Sequence, residues 1–143
     1  MGDERFTIES RQFVLRHRIP ATKTERYWKG LEEGKIYATV CRNCGAAFSP
    51  PQTDCSSCYT SDMEWVEIEG DGVVEALTQI HSIPQGFEFK GEPYTIAVAR
   101  FGAFRVMGWF EGDETLSVGE KVRAITGRDE TGVWKVYFER VGD

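Results

Sequence analysis

The 143-residue sequence predicts a mostly β chain in which one N-terminal helix leads into a metal-bound ribbon and then a small closed barrel of five strands. Three observations carry this. The only four cysteines stand as Cys41-x2-Cys44 and Cys55-x2-Cys58 across a ten-residue gap. One stretch, residues 22–33, combines an apolar helical stripe with helix-type ends. Beyond Gly70, short alternating apolar runs and turn residues recur without a helical period. The expected units are residues 1–34 for arm and helix, 35–67 for the ribbon and 68–143 for the barrel.

Residues 1–20 fit neither period, although Phe6, Ile8, Phe13, Val14 and Leu15 are apolar and Pro20 closes the segment. Partial order is expected, the arm either packing across another subunit or ending as a mobile terminus. In the helix, Thr22 and Glu25 have the spacing of a capping box, and Gly34 stands where a helix C′ residue belongs. Tyr27, Trp28 and Leu31 make a compact apolar stripe, while Lys29, Glu32 and Glu33 face away. About three turns of helix are marginal in water, so this stripe must dock, on its own domain, on a partner or on a second copy.

A two-residue spacer lets a tight turn aim two sulfurs at one point, and two such turns supply the four thiolates of a closed Zn²⁺ site. Two disulfides would suit a secreted chain, but Met1–Pro20 is charged and lacks an apolar signal core. A redox pair would need one C-x2-C at a helix start, and iron stays open in a four-cysteine site. Cys41, Cys44, Cys55 and Cys58 are therefore the expected ligands of one structural ion, which leaves no open position for catalysis. Lys35–Val40 leads into the first turn, where Gly45 supplies positive φ. Tyr59 takes the matching place in the second turn, which is expected to be less regular. Glu64–Ile68 leads out.

Gly72–Ile83 reads as a strand with Val74, Ala76 and Ile80 on one face and Glu75, Gln79 and His81 on the other. A loop over Gly86–Pro93 follows. Tyr94–Phe101 is apolar on nearly both faces, as a central strand would be. Gly102-Ala103 turns it into Phe104–Glu111, and Lys121–Thr126 and Val133–Val141 complete the set. Five strands in about 75 residues is the OB-fold number, and closure removes the exposed edges of so short a sheet. On Phe104–Glu111 the inner set is Phe104, Val106 and Phe110. That turns Arg105, Met107 and Trp109 outward, and an outward Met and Trp suggest a binding surface unless the helix or ribbon covers them.

The chain carries a net charge of −6, unevenly spread. Residues 1–30 hold seven Lys/Arg against four acids, and residues 60–143 hold eight against sixteen. An acidic barrel argues against single-stranded nucleic acid, the alternative that OB-folds and ribbons otherwise suggest, because that mode needs a positive groove. No apolar run is long enough to span a bilayer, so no membrane role is expected, and reduced cysteines without a targeting segment point to the cytoplasm. His17 and His81 sit in no recognisable catalytic motif, so a chain that is not itself an enzyme is expected.

The run Tyr27-Trp28-Lys29-Gly30-Leu31, Gly34-Lys35, Cys41-x2-Cys44-Gly45, Phe48-Ser49-Pro50-Pro51, Cys55-x2-Cys58 and Glu64-Trp65 resembles the DUF35 family, as do Gly72-x-Val74, His81, Pro84, Gly86-Phe87 and Pro93-Tyr94. The resemblance covers roughly residues 25–140, with Tyr59 replacing the usual glycine of the second turn. It implies a rubredoxin-like zinc ribbon joined to an OB-fold. By the same likeness, the chain would be a non-catalytic acyl-CoA-binding or scaffold subunit beside a thiolase-like or hydroxymethylglutaryl-CoA synthase-like enzyme. Homo-oligomers are compatible with it. Arg16, Arg18 and Lys23 would then suit the anionic nucleotide end of CoA. Trp28, His81, Phe87, Tyr94, Met107 and Trp109 are the further candidates for CoA or partner contact, the aromatics for stacking.

Overall fold

A computed structural model describes residues 5–81, 93–111, 115–129 and 131–142. Residues 5–21 form no helix or strand, and a 3₁₀ turn over Thr22–Thr24 then opens α1, Glu25–Glu32. The expected capping box does not form: no side chain caps either element. The tighter turn uses its own backbone bonds instead, with Thr24 N–H donating to the Ala21 carbonyl at 3.1 Å. The far end of α1 does close as the sequence implies. Gly34 has φ 80°. Its N–H donates to the Leu31 carbonyl, and Lys35 N–H to the Gly30 carbonyl, the paired bonds of a Schellman motif.

The ribbon is a three-stranded antiparallel sheet of β1 (Tyr37–Cys41), β2 (Ala47–Phe48) and β3 (Met63–Glu67), in the order β2-β1-β3. Five strands follow: β4 (Asp71–Ile80), β5 (Tyr94–Phe101), β6 (Phe104–Phe110), β7 (Lys121–Arg128) and β8 (Trp134–Arg140). They close in the order β4-β5-β6-β8-β7, with β6 and β8 parallel and every other pair antiparallel. This is a five-stranded OB-type barrel.

Inside it pack Val74, Ala97, Phe101, Val106, Phe110, Val122 and Phe138, all buried. Alternation fails once, on β4. A bulge between Val74 and Ala76 shifts the register against β5, so Ala76 is exposed and Leu77 packs on the core in its place. The expected inward face of Val74, Ala76 and Ile80 is corrected accordingly: one extra residue reverses the side to which every later side chain points. The expected loop over Gly86–Pro93 lies outside the described residues except for Pro93. Among the described residues, no helix is long and apolar enough to cross a membrane.

Helix α1 docks within its own chain, against β1 of the ribbon and β7 and β8 of the barrel. Leu31, 1% exposed, joins the barrel core together with Ile36, and Tyr27 packs at its margin. Burying a leucine this fully contributes about 2 kcal/mol. The close approach depends on Gly30, where an added Cβ would lie 2.7 Å from the Tyr37 ring and 3.2 Å from the Lys35 carbonyl.

On helix propensity alone, Gly30→Ala should stabilise by about 1 kcal/mol. Overpacking between α1 and β1 costs about 1–3 kcal/mol and should win. Chemical denaturation should therefore show G30A to be less stable than the parent chain.

Candidate metal centre and ligand face

The four cysteines converge from two turns of the same construction. In the first, Cys41 N–H donates to the Ala46 carbonyl at 2.8 Å and Gly45 N–H to the Cys41 carbonyl at 2.9 Å. In the second, Cys55 N–H donates to the Thr60 carbonyl at 2.8 Å and Tyr59 N–H to the Cys55 carbonyl at 2.9 Å. Tyr59 accordingly sits at φ 64° against 77° for Gly45. The second turn is thus not the less regular one that its missing glycine suggested. The hydrogen bonds impose the same backbone on both, and Tyr59 takes the left-handed conformation with its side chain out in solvent.

All four Sγ atoms lie within 4.8 Å of one another, with Cys41–Cys58 and Cys44–Cys55 each at 3.5 Å. A tetrahedron of thiolates about 2.3 Å from one ion has edges of about 3.8 Å, so the set fits a single ion. Donors gather around the sulfurs. Ser57 and Cys58 N–H both donate to Cys55 Sγ at 3.4 Å. The Thr60 hydroxyl lies 3.4 Å from Cys41 Sγ and 3.3 Å from Cys58 Sγ. The Asn43 amide, then the Thr60 hydroxyl and N–H, bring the Cys58 thiol down to about 5. Cys41 is lowered as well, first by the Thr60 hydroxyl. At Cys44 the Ala46 N–H pulls downward, but the neighbouring Cys55, Cys58 and Cys41 sulfurs outweigh it and the thiol rises to about 11. A bound dication holds all four as thiolates. Thr39, fully buried, ties the second turn to β1: its hydroxyl donates to the Gln52 carbonyl at 2.8 Å and accepts from Gln52 N–H at 2.9 Å.

A second constellation lies on the outside of the barrel. Val106, Phe110, Val136 and Phe138 face inward, which turns Met107 and Trp109 on β6 and Lys135 and Tyr137 on β8 outward. Helix α1 touches β7 and β8 and the ribbon's β2 touches β6, so Trp109, Lys135 and Tyr137 are half-buried while Met107 stays 66% exposed. Trp109 stacks on Tyr94 with ring centroids 4.4 Å apart, and Lys135 Nζ lies 4.0 Å from the centre of its ring. That ammonium also pairs with Asp129 at 2.8 Å, the two side chains being 16% and 4% exposed. Asp129 Oδ1 further accepts from Thr131 N–H at 2.9 Å and Val133 N–H at 3.0 Å. Burial raises the Asp129 pKa most, yet the Lys135, Thr131 and Val133 bonds together hold it well below the usual carboxylate range.

The other expected contact residues lie apart from this face. Arg16 and Arg18 are exposed on the arm, and Lys23 is in the 3₁₀ turn. Trp28 is half-exposed on α1, edge-on to Tyr27. His81 is exposed just after β4. Phe87 lies outside the described residues. Sequence reading missed Asn43, Thr60, Asp129 and Lys135. Only the position of Thr60, two residues beyond the last cysteine, could have marked one of them.

Comparison with known proteins places the rubredoxin-like zinc ribbon domain of ChsH2 over residues 28–64 and the C-terminal OB-fold domain of ChsH2 over residues 65–127. The cysteine cluster is therefore a zinc ribbon holding one structural zinc. A solved structure called the Ltp2-ChsH2(DUF35) aldolase is similar at 20% identity and TM-score 0.69, over 87% of this chain and 98% of that one. A DUF35 protein of unknown function from Sulfolobus solfataricus is similar at 28% identity and TM-score 0.56, over 72% of this chain and 77% of that one. No curated protein matches the sequence. The expectation of a chain that is not an enzyme is corrected by the first structure, since this fold occurs there in what is called an aldolase.

Two outcomes follow. Tyr59→Gly relieves a left-handed side chain and should raise stability by about 1 kcal/mol with metal content unchanged, measured by denaturant melts and metal analysis. Because the folded pKa of Asp129 is depressed, its contribution is fully present above the ordinary value of 3.8 and is lost as pH falls through the lower folded value. Asp129→Asn should be about 2 kcal/mol less stable at pH 7. The gap between the two proteins should close in strong acid, read from paired melts across pH.

Proposed function

Because the chain belongs to the DUF35 family, we propose that it is one subunit of an acyl-CoA-processing enzyme complex and that its outer barrel face holds part of the acyl-CoA. The observation that carries this is the aromatic and thioether surface of β5 and β6, where Tyr94 and Trp109 stack and Met107 stands exposed. These are the second and third barrel strands, the face on which OB-folds take extended ligands. With Tyr94 on one face of Trp109 and the Lys135 ammonium over the other, the ring edges and the exposed Met107 beside them are what remain to meet a pantetheine arm or an acyl chain, and rings braced in this way have little entropy left to lose.

Among the described residues the cations of β6 and β8 nearest this face are already paired, Arg105 with Glu75 and Lys135 with Asp129, so the anionic nucleotide end is left to another surface. It falls to the partner enzyme, of the thiolase or hydroxymethylglutaryl-CoA synthase kind. A complex of that kind is cytoplasmic, where four free thiols stay reduced and metal-bound. Similarity to a structure called an aldolase supports an enzyme partner and a place inside a catalytic assembly.

Affinity purification from the native cell, with mass identification of what co-purifies, should return an acyl-CoA-handling enzyme. Calorimetry on that complex should show acyl-CoA affinity about tenfold weaker for Trp109→Ala, the effect of losing one aromatic platform of about 1.4 kcal/mol. A complex whose acyl-CoA affinity ignores W109A would sink the reading.

A further inference from the structure

The N-terminal arm is the most anomalous segment of the chain. Phe6, Ile8, Phe13, Val14, Leu15 and Ile19 are each at least 79% exposed, in one stretch that forms no helix or strand. Scattered exposed apolar residues are ordinary, but six within fourteen residues, 6–19, mark a surface made to be covered. In extended form, Phe13, Leu15 and Ile19 share one side while Arg16 and Arg18 share the other. Arg11, Arg16 and Arg18 make no ion pair among the described residues.

A matching surface exists elsewhere in the chain. The barrel is closed and offers no edge, but the ribbon sheet ends on β3, which pairs only with β1 among the described residues. On and just after that edge stand Glu64, Glu67 and Glu69, all exposed and also without an ion pair among the described residues. An open strand edge offers unpaired backbone groups to an added strand.

We propose that residues 13–19 of one copy add as a strand to β3 of a second copy, with Arg16 and Arg18 meeting Glu67 and Glu69, which share one side of that edge by the same alternation. The exchange is reciprocal, so both arms and both edges are used and the assembly closes as a two-fold dimer. Sixteen extended residues, 5–20, reach about 50 Å at 3.3 Å each, more than the width of a body of this size. This inference does not depend on the acyl-CoA reading, because both surfaces belong to this chain.

Sedimentation equilibrium of the full zinc-loaded chain at micromolar concentration should give twice 16.2 kDa. Removing residues 1–20, whose described part, 5–20, belongs to no helix or strand, should leave a folded, metal-replete monomer. Arg16→Glu/Arg18→Glu and Glu67→Arg/Glu69→Arg chains should each be monomeric, and mixing them should restore a dimer, because in the mixed pair both contacts are again oppositely charged. A monomeric full chain, a dimer that survives loss of the arm, or a mixture that stays monomeric would each overturn the proposal. An arm protected from proteolysis in a monomer would identify fold-back onto its own edge instead.

Discussion

Everything N-terminal to the barrel depends on four sulfurs meeting at one point. The ribbon strands are short, β2 only Ala47–Phe48, and so few residues cannot build a stable apolar core by themselves. The ion takes the place of that core. It draws together two turns fourteen residues apart in sequence, and the buried Thr39 fixes the second turn to the sheet. Once the sheet is set, Tyr37 meets Gly30 and α1 is held with Leu31 in the barrel. Metal, sheet, helix and barrel thus form a series in which each contact positions the next.

What could be read from the sequence follows from the range of the interactions involved. Cysteine spacing and strand periodicity are local, and they located the ribbon ligands, all five barrel strands and the outward placement of Met107 and Trp109. Gly34 was equally legible because a helix C-terminus demands positive φ at that one place. The bulge on β4 was not legible, since Glu75 looks like any outward residue until the register against β5 is known. Thr22 and Glu25 carried a true capping pattern, but the backbone found a tighter turn. Tyr59 misled because a missing glycine argues against a geometry that hydrogen bonding nonetheless enforces. Lys135, paired with Asp129, meets Trp109 only through the strand order, which no local pattern reveals.

The same constraint explains why the functional reading needed correction. With every cysteine taken by a closed metal site and no catalytic triad in view, the residues suggested a chain without enzymatic standing. Such reasoning treats catalysis as the property of one chain. A site assembled between subunits leaves only fragments in each sequence, and a braced Trp–Tyr platform is the kind of fragment that carries no motif.

The parallel join between β6 and β8 has a consequence for how this barrel forms and opens. Its register among the described residues is the two pairs Trp109–Tyr137 and Phe110–Phe138, and a connection of more than twenty residues separates the two strands in the chain. Closing so distant a pair costs loop entropy that few ladder bonds repay, so this seam forms after the hairpins and opens before them. Trp109 sits on it. The surface that presents the ring stack is therefore also the least stitched part of the barrel, where breathing of the wall and the occupancy of its outer face are physically the same event.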